Sequence, residues 1–124
     1  MNYEEMSDFE VNGYVSMHMH GFSWIEFVDG CASHVKCGNE CSPGFAMIEV
    51  SDYCNNPSDA WPIIVEYQIS IAKYKGSEEW DAHGGGVCVD YDHCIISNSD
   101  CSYSNKNPLR AAMIVFLMMK DKDK

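Results

Sequence analysis

Cys31, His34, Cys37 and Cys41 spell C-x2-H-x2-C-x3-C within a single short connection. Thiolate and imidazole are the ligands that a tetrahedral zinc ion takes, so one reading of the run is a zinc site. Structural zinc sites usually draw two ligand pairs from separate turns, and the crowding here supports the other reading, a reduced thiol-rich loop. His18 with His20, or Cys88 with His93 and Cys94, could supply further ligands. A second chemistry-bearing pair is "SDYCNNPSDAWPIIVE" (51–66) and "NKNPLRA" (105–111), each setting polar loop residues before a helix start. A helix start leaves up to four backbone N–H groups without intrahelical partners, and its dipole favours an anion.

Arg110 falls in the first turn of the second of these helices, where the dipole opposes a cation. It therefore requires a countercharge: Asp59, Asp52 or another carboxylate, or a bound anion. If the two starts converge, Tyr53, Asn55, Asn56, Ser58, Asp59, Trp61, Asn107 and Arg110 make a nucleotide-sized site. In it, N–H groups and Arg110 hold phosphate while Trp61 or Tyr53 stacks on a ring. The plain structural alternative is that Asn56 and Asn107 are caps, Trp61 is core and Arg110 pairs with Asp59.

Catalytic patterns are weaker. "HGGG" (83–86) resembles the oxyanion turn of some esterases, but no G-x-S-x-G elbow exists to supply a nucleophile. Nothing in the spacing of seven cysteines and five histidines selects a Cys-His pair. Glu78 and Glu79 are adjacent loop carboxylates, which indicates surface charge. The expectation is a non-enzymatic protein, with a nucleotide-acting enzyme as the third reading after two binding functions.

The elements that must position these residues follow from pattern. The chain has 124 residues, 46% of them hydrophobic and 22% charged, enough for one domain with one core. Eight Lys plus Arg against 19 Asp plus Glu give a net charge of −11, a field that repels bulk nucleic acid and anionic lipid. "LRAAMIVFLMM" is too short to span a bilayer, and the acidic start "MNYEEMSDFE" has no apolar signal core. The chain is expected in a reducing cytoplasm, without disulfides.

Ser7 and Glu10 form an S-x-x-E capping box, so a helix is predicted from Ser7 to a stop before Gly21. "SWIEFV" and "GFAMIEV" read as strands, with the cysteine-bearing segment a long connection between them. A helix is predicted over Ala60–Tyr67 with Ser58 or Asp59 as cap, because Pro62 is tolerated only in a first turn. "QISIAKY" and "GVCVDY" are further strands. The triple glycine is a mobile loop beside Trp80 and His83, and "SNSDCSYSNKN" is loop. Asn107 and Pro108 open a last helix that is apolar on nearly every side and so must be buried. The fold class is α+β: one domain, residues 1–119, with a small mostly antiparallel sheet packed against the N- and C-terminal helices, and a solvated tail at 120–124.

Three blocks in order, "SDFEVN", "DYCNNPSDAWPIIVE" followed by "ISI", and "NKNPLRAAMIVFLMM", resemble the NinX-like family of small tailed-phage proteins. The resemblance implies a phage-encoded accessory protein, outside the virion, made in the host bacterial cytoplasm. It carries no activity with it. Joined to the helix-start argument, it leads to the expectation of a protein that binds a small anionic ligand, such as a nucleotide signal of host defence. The alternative is an acidic protein-protein module that inhibits or adapts a host factor.

Overall fold

The structure, a computed structural model, describes residues 2–85, 88–89, 95–96 and 101–122. Most of the expected "GVCVDY" strand, the last glycine of the triple run, and His93 and Cys94 lie outside the described residues. The fold is α+β, as the sequence predicts, but among the described residues the strands form two small three-stranded antiparallel sheets and a two-stranded ribbon, not one sheet.

Helix α1 (Asp8–Met19) begins at the predicted capping box: Ser7 Oγ accepts from the Glu10 N–H at 3.1 Å, and Glu10 Oε1 accepts from the Ser7 N–H at 3.2 Å. Strands β1 (Trp24–Phe27), β2 (His34–Gly38) and β3 (Ala46–Glu49) form the first sheet in that order. The predicted long connection thus contains a strand, whose apolar inward residues Val35 and Cys37 are masked in the sequence by polar neighbours. Register places Phe27 opposite Val35 and Val35 opposite Ile48, and this inner face packs with Met17 and Phe9 of α1 into a small core. A Cβ on Gly13 would lie 2.7 Å from the Phe27 ring, so glycine in α1 lets β1 approach.

Helix α2 (Pro57–Glu66) starts three residues before the predicted position. Asn56, not Ser58 or Asp59, is the cap: its Oδ1 accepts from the Ser58 N–H at 3.0 Å, and Pro57 takes the first helical position. Pro62 consequently stands inside the helix. It is tolerated because both Pro62 and Ser58, whose carbonyl it leaves without an N–H, lie on the solvent side.

Strands β4 (Ser70–Ala72), β5 (Trp80–His83) and, later in the chain, β8 (Ser102–Asn105) form the second sheet with β5 in the centre. Between them β6 (Cys88–Val89) and β7 (Ile95–Ile96) pair as a short ribbon. Trp80 and His83 are the two ends of strand β5, with the bend at Gly84 and Gly85 directly after His83, and "SNSDCSYSNKN" contains strand β8 before its last two residues. Helix α3 (Pro108–Lys122) is capped by Asn107, whose Oδ1 accepts from the Leu109 and Arg110 N–H groups at 3.0 and 3.3 Å. Its residues from Arg110 to Leu117 are all buried. It is the centre of the larger core, with α1, α2 and the second sheet packed around it. The helix runs past Met119 to Lys122, where the sequence predicted a tail, and there Asp121 Oδ2 accepts from the Tyr3 hydroxyl at 2.8 Å. Among the described residues no helix is long and apolar enough to cross a membrane.

Candidate functional site

The two Asn-Pro helix starts do converge. Asn107 Nδ2 donates to the Cys54 carbonyl at 2.7 Å and to Asn55 Oδ1 at 3.2 Å, while its Oδ1 caps α3. One short amide thereby joins the start of α3 to the loop before α2. Asn55 Nδ2 in turn donates to Asp52 Oδ1 at 3.0 Å and to Asp8 Oδ2 at 3.2 Å.

Arg110 is the residue whose surroundings differ most from the sequence reading. Its countercharge is neither Asp59 nor Asp52: Nη1 donates to Asp8 Oδ1 at 2.7 Å, and Nη2 donates to the Tyr3 and Met6 carbonyls at 3.0 and 2.5 Å. The side chain is buried and ties the N-terminal segment to α3. A bidentate hold on phosphate would have to displace these partners.

Two residues that sequence reasoning missed complete the cluster. Asn12, buried in α1, donates to Asp52 Oδ1 at 3.0 Å and accepts from the Cys54 N–H at 2.9 Å. Asp8 had a signal, an acidic side chain in the first turn of α1, but its partner is 102 residues away. Asn12 had none: its burial is a tertiary fact, and once buried its amide must find partners. Cys54 lies beneath this cluster, and burial, with Asp8 adding and Arg110 opposing, pushes its thiol up to about 12.

The open space beside the cluster, about 310 Å³, is lined by Asp8, Phe9, Asn12, Ala32, Val50, Asp52 and Asn55. Among the described residues two carboxylates and no cation line it, so its field opposes a phosphate. Of the other predicted ligand residues, Tyr53 packs half-buried on the core. Ser58 is exposed, with its N–H already capped by Asn56. Asp59 is half-buried in the first turn of α2. Trp61 is not core: it is 61% exposed on α2, one turn before Val65 at 57%.

The zinc ligand set is not brought together. In β2 the side chains alternate, so Cys37 points inward to the small core while His34 faces the other side with Lys36. Cys31 is half-buried, Cys41 is exposed, and among the described residues no three His, Cys, Asp or Glu side chains gather as a metal site. His34 Nδ1 instead meets Ser33 Oγ at 2.8 Å. The backbone N–H groups of Ser33 and His34 lower the Cys31 thiol, whereas burial raises that of Cys37.

A family profile described as "Bacteriophage P22, NinX" matches residues 2–120, which takes in the three blocks and the segments between them. No curated protein matches the chain.

Proposed function

The chain belongs to the bacteriophage P22 NinX family, and from that premise we propose a non-enzymatic phage accessory protein, at work in the host cytoplasm, that binds and inhibits or adapts a host protein. One observation carries this reading: the outward face of α2 presents Trp61 and Val65 to solvent with Pro62 beside them. A tryptophan left out of the core of a small protein loses the burial that would stabilise the fold, and tryptophan is enriched among residues that dominate protein interfaces. Asp59 and Glu66 flank the face, and the net charge of −11 steers it to a partner with a basic rim around an apolar cleft.

The test is the affinity for the host partner of the wild type and of Trp61→Ala. The substitution is expected to weaken binding roughly 30-fold or more, as a central interface tryptophan does. It should leave the unfolding midpoint nearly unchanged, since most of the ring is already in water. Raising salt should slow association of the wild type. An affinity unaltered by the substitution would remove α2 as the binding face.

A second reading, sequestration of a nucleotide signal as a counter-defence function, is favoured by the same exposed indole standing in the second turn of α2, a ready stacking surface. It differs in its salt response, because a ligand stacked in a sheltered site responds little to screening. It also requires a cation other than Arg110 for the phosphate.

A further inference from the structure

We propose that the cavity between α1, the start of β1 and the end of α3 is a binding site for a flat, amino-bearing heterocycle of nucleobase size without a phosphate. The site lies apart from the α2 face and does not depend on it. The cavity holds about 230 Å³, below the roughly 300–1,000 Å³ of sites for drug-sized ligands, which sets the size at one small ring system.

Its lining is of the kind that holds such rings. Tyr14 and Trp24 supply aromatic surface; Met17, Ile25 and Leu117 supply apolar surface. Three further residues line it: His18, Ser23 and Asp121. Ser23 is occupied, since its Oγ donates to the Gly38 carbonyl at 3.4 Å and accepts from the Glu40 N–H at 3.0 Å.

Asp121 gives the site its chemical preference. Its Oδ2 accepts from the Tyr3 hydroxyl at 2.8 Å, which orients the carboxylate and leaves Oδ1 for a donor from the ligand. Burial, and then Asp121 itself, raises the Tyr3 phenol well above its ordinary value, so this donor stays protonated through the physiological range. An acceptor-only carboxylate selects N–H donors, hence an exocyclic amine or amidine. The same charge, in a chain of net charge −11, disfavours a phosphate.

The experiment is a fluorescence titration of 2-aminopurine with the full chain. Purine, which lacks the amine, is the chemical control, Asp121→Asn the protein control, and the indole N–H signal of Trp24 in NMR the locator. Saturable quenching is expected, with a shift of the Trp24 signal at the same midpoint. Loss of a hydrogen bond to a charged group should weaken binding by at least about tenfold in Asp121→Asn and for purine with the wild type. Asp121 is exposed, and asparagine keeps an acceptor for Tyr3, so the variant folds. Adenosine should compete better than adenosine monophosphate. Absence of saturation at millimolar 2-aminopurine would overturn the proposal. So would equal binding by Asp121→Asn, equal binding of purine, or an unshifted Trp24 signal.

Discussion

Arg110→Ala is expected to destabilise the protein by about 3 kcal/mol, and not to leave it as stable or more so as the helix dipole alone would suggest. The dipole term is worth less than about 1 kcal/mol. Against it stand three charge-assisted hydrogen bonds, to Asp8 and to the Tyr3 and Met6 carbonyls, made by a side chain only 11% exposed. Removing the guanidinium takes the Arg110 donor from the Met6 carbonyl, at about 1–3 kcal/mol if that carbonyl stays buried, while the Tyr3 carbonyl keeps the Met6 N–H at 3.3 Å. Asp8 is 46% exposed, so water recovers much of what that carboxylate loses, and Asp8→Asn should cost only about 1 kcal/mol. Denaturant unfolding of the two variants measures both. If Arg110→Ala unfolds at the wild-type midpoint, Arg110 does not tie the N-terminal segment to α3.

Phe116→Ala should cost more, about 3–5 kcal/mol, with a fall in the unfolding midpoint of roughly 10–20 °C. Phe116 is fully buried in the larger core, edge-on to Tyr67 at 4.9 Å and to His18 at 6.0 Å between ring centroids. Deleting the ring opens a cavity where α3 meets both α1 and the end of α2, a place that three elements would have to move to refill. Phe116→Leu keeps most of the volume and should lose about 1–1.5 kcal/mol. A loss below about 1 kcal/mol for Phe116→Ala would show that α3 is not the centre of the core.

Where local chemistry decides an element, the sequence was readable. Ser7 with Glu10, and Asn107 with Pro108, start helices through bonds made within three residues, and both helices begin where those residues predict. Strand β2 was not legible, because His34 and Lys36 alternate with Val35 and Cys37 in a segment whose cysteine spacing drew the eye to metal chemistry. The start of α2 was displaced by a correct rule with an exposed exception, Pro62 on the solvent side.

The candidate site shows the same division. That the two Asn-Pro segments meet could be posed from helix starts alone, but the identity of the partner of Arg110 could not. Asp8 and Asn12 reach the cluster from α1, and no local pattern encodes contacts 40 to 102 residues apart. The exposure of Trp61 is likewise a tertiary fact. Its place on α2 depends on Ala60, Ile63 and Ile64 taking the inward face, which is decided by what the helix packs against.

That outward face is the centre of the functional account, and site-specific photo-cross-linking in host cells tests it most directly. A benzophenone amino acid is placed in turn at position 61, at 65 and, as an exposed control on the first sheet, at Glu26. The account predicts the same discrete heterologous adduct from positions 61 and 65, none from 26, and loss of the adduct when unlabelled wild-type protein competes. Adducts of equal yield from all three positions, an adduct only with a second copy of this chain, or no adduct from 61 and 65 would contradict it.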